Sequence, residues 1–165
     1  MLSGHSKDIV DLSWSENNHD LLVTASHDKK VIIWNAVSKK IQKPLHVFTF
    51  PDIVTCVSFK PGFEESFGVK DQVVATGCFD KIVRLWSLHQ NKVINYNDVP
   101  HHITAISFSL DGERLVVGTI KGSIYIFEST NSFTKLMLLE TMNVKNRRGR
   151  FSKGRKVNEI KFTLN

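Results

Sequence analysis

The side chains that could do chemistry are scattered along this chain, with one exception. Histidine occurs at positions 5, 19, 27, 46, 89, 101 and 102, and cysteine at 56 and 78. None falls in an HExxH or Cys-x-x-Cys spacing, and the chain has neither a GxSxG elbow nor a Walker-type glycine loop. His27 and Asp28 pair acid and base types. On a strand, His101 and His102 would turn their rings to opposite faces, which does not suit a shared metal. No catalytic residue, metal or cofactor is therefore expected. The exception is charge. Lys145, Arg147, Arg148, Arg150, Lys153, Arg155 and Lys156 carry seven positive charges with no acid between them. The formal net charge is only +6, so the rest of the chain is slightly acidic. Such a cluster attracts an acidic protein patch, phosphoinositide headgroups or RNA. Gly149 and Gly154 would let backbone amides join in. Phe151 stands alone, without the interleaved aromatics of a nucleic-acid platform, so RNA ranks last. The competing reading is a solvated loop with no ligand.

The elements that must position these residues are short strands. Residues 21–26 and 31–34 are β-branched, aliphatic or aromatic, and His27-Asp28-Lys29-Lys30 between them reads as a tight turn. One hairpin does not hold itself together in water, but this one recurs as VVATGCFDKIVRLWSL from residue 73 and LVVGTIKGSIYIF from residue 115. Trp34, Trp86 and Phe127 anchor the copies at steps of 52 and 41 residues. A further strand precedes each hairpin, over residues 9–14, 54–59 and 103–108. A fourth copy, VNEIKF, starts at residue 157. Several strands per unit at a period of roughly 40–45 residues is the mark of β-propeller blades.

Gly4-His5, Asp28 and Trp34-Asn35 resemble the signature of the WD-repeat family. The resemblance implies an all-β propeller in which a His, a Ser or Thr, an Asp and a Trp form a buried hydrogen-bonded set. Carried over, that set is His5, Thr24, Asp28 and Trp34, with Ser26 the alternative to Thr24. The second copy keeps Thr76, Asp80 and Trp86 but has Phe50 in the histidine place. The third has Val99, Val117, Lys121 and Phe127, so none of the set survives. Arg148-Gly149-Arg150, Gly154-Arg155-Lys156, the DLSWS run at 11–15 and VVGTIKG at 116–122 further resemble the Rab-GTPase-binding (rabphilin-eleven-like) branch. That branch implies an endosome-associated scaffold whose Rab-binding segment lies outside the propeller.

The expected organisation is blade one at about 8–50, blade two at 53–97, blade three at 103–142, the basic loop at 143–156 and the opening strand of a fourth blade at 157–165. Blade two carries a longer loop at 60–71, in which Phe63 and Phe67 fold back or anchor a partner. Rings close with about 4–8 blades, so a piece of a longer protein is expected, with exposed faces and edges prone to self-association. At 165 residues and 41% hydrophobic content the composition is that of an ordinary globular chain. No run nears the roughly 20 apolar residues of a spanning helix, and no signal-peptide pattern opens the chain. Both cysteines fall inside expected strands, which reads as buried free thiols and a reducing, cytoplasmic setting.

The expected function is a non-catalytic interaction scaffold in membrane trafficking, cytoplasmic and peripheral at endosomal or other vesicle membranes. Its partners are other proteins, acidic surfaces or anionic lipid headgroups. The turn positions Lys7, His27, Phe79, His101 and Lys121 are the partner-binding candidates, with Phe79 either an exposed hot spot or packed on the next blade. The rival class is a propeller enzyme with its site over the central channel, but the inner strands supply only Asp11 as an acid.

Overall fold

The computed structural model describes residues 3–16, 18–37, 43–62, 64–66, 69–130, 135–143 and 156–162. Three four-stranded antiparallel sheets succeed one another along the chain. The first is β1 (Ile9–Trp14), β2 (Leu21–Ser26), β3 (Lys30–Asn35) and β4 (Pro44–Thr49), paired in chain order. In the second, β5 (Val54–Phe59) pairs with β8 (Val73–Cys78), followed by β9 (Ile82–Ser87) and β10 (Lys92–Asp98). The third runs β11 (Ile103–Phe108), β12 (Arg114–Thr119), β13 (Ser123–Thr130) and β14 (Lys135–Asn143). Instead of a plain loop at 60–71, a small hairpin interrupts the second repeat, β6 (Glu64–Ser66) with β7 (Val69–Asp71). Phe63 and Phe67 lie outside the described residues.

The central strands β2, β3, β8 and β12 are buried on both faces because sheets pack face to face, which is why these runs do not alternate cleanly. Val23, Ala25, Val31, Ile33, Phe48 and Phe50 of the first sheet meet Val54, Val57, Phe59, Val74 and Cys78 of the second. Val73, Ala75, Val83 and Leu85 meet Ile103, Leu115, Val117 and Phe127 across the next seam. Trp86 carries the first seam outward, its ring 4.3 Å from Phe48 and 5.2 Å from Phe50. Both thiols are buried and free. Burial pushes Cys56 up to about 12 and Cys78 up to about 11, so neither is a nucleophile near neutral pH.

The inner strands repeat a defect as well as a pattern. The register shifts between Ile9 and Asp11, between Val54 and Cys56, and between Ile103 and Ala105. Each bulge re-aims one side chain out of its own ladder. In the second sheet that side chain is Thr55, whose hydroxyl donates to the Ile103 carbonyl of the next sheet at 2.9 Å. In the third it is Thr104, which donates to the Val157 carbonyl at 2.6 Å. Val10 holds this place in the first sheet and cannot donate. There, Asp11 accepts from the Val57 N–H at 2.8 Å and Ser13 from the Phe59 N–H at 3.2 Å.

Residues 156–162 form no ladder, yet they take the place of the next inner strand. A Cβ at Gly77 would stand 2.6 Å from Cγ2 of Ile103, and one at Gly118 would stand 2.5 Å from Cγ1 of Val157. The glycines clear room for the following repeat at equivalent positions, and Val157 fills the seat that Ile103 fills one repeat earlier. At the two ends of the arc apolar side chains meet solvent: Ile9, Leu12, Trp14 and Val47 on the first sheet, and Met137 to Leu139 on the third.

Candidate functional site

Register brings the loops that precede β1, β5 and β11 to the same end of each sheet as the β2–β3, β8–β9 and β12–β13 turns. Ile9 lies opposite Ser26, Val54 opposite Cys78 and Ile103 opposite Thr119. Equivalent hydrogen bonds tie loop to turn: His27 N–H to Asp8 O, Phe79 N–H to Ile53 O and Ile120 N–H to His102 O. Because neighbouring inner strands run in the same direction, the three ends make one turn face.

Beneath that face the first sheet carries the full buried set. His5 Nδ1 is 3.0 Å from Asp28 Oδ2 and its Nε2 is 2.8 Å from Thr24 Oγ1. The Trp34 indole N–H donates to the same hydroxyl oxygen at 2.8 Å. An ionised Asp28 only accepts, so Nδ1 carries the hydrogen. Its Nε2 shares a hydrogen bond with the Thr24 hydroxyl, whose oxygen also lies 3.4 Å from the Ile32 carbonyl oxygen. The side chains of His5 and Asp28 are 4% and 2% exposed, so an unpaired atom here would have no water to turn to. Burial alone would raise the Asp28 carboxyl. Hydrogen bonds from the Ser6 N–H, His5 and the Lys30 N–H, with the nearby imidazole, outweigh it and hold the group below its ordinary value. Ser26 joins by a different route, donating to Lys7 O and accepting from the Asp28 N–H. Gly4 is required next to His5 because a Cβ there would stand 2.8 Å from Cη2 of Trp34.

The second sheet keeps three of the four residues and rebuilds the place of the fourth. Trp86 donates to Thr76 Oγ1 at 3.0 Å, as its counterpart does. With Phe50 in the histidine place, Asp80 is held instead by both terminal nitrogens of Arg84, at 3.2 and 2.6 Å. The guanidinium carbon lies 5.7 Å from the Phe50 ring centroid. Burial pushes the Asp80 carboxyl up, but the Arg84 hydrogen bonds lead the opposing effects and leave it below its ordinary value. Arg84 was not singled out from the sequence. Its signal is a cation in an otherwise apolar strand, IVRLWS, four residues after an acid whose histidine partner is missing. The third sheet dispenses with the chemistry: Val99, Val117 and Phe127 are simply buried.

On the face itself, Lys7, His27, Phe79 and Lys121 are exposed and His101 is half-buried. Phe79 combines both readings offered for it. It is 39% exposed and also stacks on His102 of the following repeat, with ring centroids 3.8 Å apart and planes 5° from parallel. Of the basic cluster, Lys156 is described and exposed. Lys145, Arg147, Arg148, Arg150, Lys153 and Arg155 lie outside the described residues.

Between the inner strands an open channel of about 700 Å³ is lined by Asp11, Thr55, Thr104, Lys156 and Glu159 among others. Asp11 is the acid a channel enzyme would need, but the Val57 and Leu12 N–H groups occupy its oxygens. Burial, opposed by those two bonds and assisted by the negative charge of Glu159, raises its carboxyl above the ordinary value. Among the described residues no three His, Cys, Asp or Glu side chains converge to hold a metal ion, and no helix is long and apolar enough to cross a membrane.

Antiparallel four-stranded blades stacked about shared inner strands, with loop-to-turn bonds repeated at each, define a β-propeller arc. The chain belongs to the WD domain, G-beta repeat family, which matches it over residues 1–35, 42–87 and 95–128. It is 34% identical over 128 residues to an uncharacterized WD repeat-containing protein of Schizosaccharomyces pombe, covering 78% of this chain and 20% of that protein. It is 31% identical over 160 residues to WD repeat-containing protein 44 of Xenopus laevis, covering 95% and 16%. The WD40 domain of Toxoplasma gondii coronin superposes with a TM-score of 0.67 at 22% identity, over 81% of this chain and 33% of that one. The chain thus spans a fifth or less of the length of these two sequence relatives. WD-repeat proteins generally act as interaction scaffolds, and the family is typically non-catalytic.

Proposed function

We propose that the chain is part of a non-catalytic propeller scaffold whose turn face holds partner proteins for a larger protein of membrane trafficking. The observation that carries the scaffold reading is the division of labour at the turns. The acids Asp28 and Asp80 are locked inward by hydrogen bonds, while Lys7, His27, Phe79 and Lys121 project outward. A face built this way binds without transforming what it binds. The trafficking setting, with the protein cytoplasmic and peripheral at endosomal or other vesicle membranes, rests on the sequence resemblance to the Rab-binding branch.

The experiment is affinity capture with the full-length protein, comparing wild type with the combined variant Lys7→Glu, His27→Ala, Lys121→Glu. Loss of most captured partners at an unchanged melting temperature is expected; an unchanged set overturns the reading. A second reading, anion binding through residues 145–156, is supported by the charge run and by the exposure of Lys156. Reversing charge at Arg147, Arg148, Arg150 and Arg155 should then release the protein from phosphatidylserine vesicles at low salt. Retention of binding removes that reading.

A further inference from the structure

At the seam between the second and third blades, three groups of the turn face are tied together in a way not repeated at the first seam. His102 Nδ1 lies 2.7 Å from the Phe79 carbonyl oxygen, which only accepts, so that nitrogen donates. The two rings then stack almost parallel. Ile120 takes in blade three the turn place that Phe79 takes in blade two; it is held to His102 O at 3.0 Å and is 39% exposed. An exposed aromatic, a flat imidazole and an exposed aliphatic residue are thereby linked across two blades, by one imidazole-to-carbonyl bond and one main-chain bond. An apolar patch that is already ordered loses little freedom when something docks on it, which favours an anchor residue there.

Charge selects what docks. Lys81 follows Phe79 by two residues and Lys121 follows Ile120 by one, and both are exposed with no ion pair among the described residues. The Asp80 carboxylate between Phe79 and Lys81 is turned inward onto Arg84, so it does not neutralise them. Asp98 is an exposed acid at this end of blade two, which leaves the lysines in excess around the apolar centre. At blade one the corresponding turn offers His27 beside the exposed Asp8, a mixed and less apolar surface.

We infer that the Phe79–His102–Ile120 patch, flanked by Lys81 and Lys121, is a docking site for an acidic protein segment that inserts one aromatic side chain between its carboxylates. This deepens the scaffold reading and rests on it. The test is fluorescence anisotropy on the full-length protein with a dye-labelled heptapeptide of three glutamates, phenylalanine and three glutamates. Its controls replace the phenylalanine with alanine or the glutamates with lysine.

The acidic phenylalanine peptide should bind at least about tenfold more tightly than either control. Phe79→Ala should weaken it by about tenfold. Lys81→Glu with Lys121→Glu, which disturbs no packing, should weaken it by a similar factor and flatten its salt dependence. Equal binding of the three peptides, or unchanged binding by the double lysine variant, overturns the inference. So does phosphatidylserine-vesicle binding that depends on the lysines but not on Phe79, which would make the surface a lipid contact. If Lys7→Glu, His27→Ala, Lys121→Glu abolishes partner capture while no peptide binds, the scaffold reading stands and this site falls.

Discussion

Blades one and two solve one problem with different residues. Each must bury an aspartate beneath its turn so that the carboxylate can organise the loop. Blade one answers with a relay, Trp34 to Thr24 to His5 to Asp28, to which the Ser6 and Lys30 N–H groups add. Blade two answers with a bidentate guanidinium from the next strand and leaves an aromatic ring in the vacated histidine place. The ion pair of blade two must offset the desolvation of Arg84 and Asp80. That Arg84 is only partly buried makes the second solution affordable. What the difference teaches is that the aspartate and its turn are the constant, and its partner is negotiable provided the carboxylate is not left alone.

The largest effect should come from removing the constant in blade one. Asp28→Ala leaves His5, the Ser6 N–H and the Lys30 N–H without their acceptor, and should cost about 3 kcal/mol in a urea midpoint. The pH dependence has a definite sign. Since the folded carboxyl is held below its unfolded value, its contribution is complete above that unfolded value, about 4, and is lost as pH falls through the folded one. The wild-type midpoint should therefore drop more steeply than that of Asp28→Ala as acid is added below pH of about 5.

A smaller effect sharpens the comparison itself. Arg84→Ile installs the residue that blade one has at the same place, Ile32, and leaves Asp80 with the Ile82 N–H but without its guanidinium; the expected cost is about 2 kcal/mol. Adding Phe50→His should recover part of that loss, because the imidazole returns a donor to Asp80. A double variant no more stable than Arg84→Ile would show that the two turns are not interchangeable. Smallest of all, Lys81→Gly should raise stability by about 0.5–1 kcal/mol, since Lys81 sits at φ 70° where Gly122 stands in blade three at φ 78°. A lower midpoint would mean that the lysine chain contributes more than its backbone strain costs.

Much of the fold could be read from periodicity. The inner strands at Ile9–Trp14, Val54–Phe59 and Ile103–Phe108 stand where the alternation and anchors put them. The hydrogen-bonded set of blade one is what the family resemblance of Gly4-His5, Asp28 and Trp34-Asn35 implies, and the structure puts Thr24 in it rather than the alternative, Ser26. Three things were not legible. The β6–β7 hairpin lies in a polar, phenylalanine-containing insertion with no strand alternation. Arg84 was hidden because a strand arginine reads as solvated until its missing histidine is noticed. The Phe79–His102 stack joins residues 23 apart across a seam, and no single repeat contains it. The fourth copy was legible as a position: Val157 is seated, and over the described residues 158–162 no ladder forms.

The threonine latches at the inner bulges have one more consequence. Thr55 and Thr104 reach for a main-chain oxygen, and every amino acid has one. At these two seams the hydrogen bond does not depend on the neighbour's side chain, although Ile103 and Val157 still have to fit over Gly77 and Gly118. A repeat can therefore lose its internal hydrogen bonds, as the third has, and still receive its neighbour through the main chain; at the first seam, where Val10 has no hydroxyl, Asp11 and Ser13 do this by accepting from main-chain N–H groups.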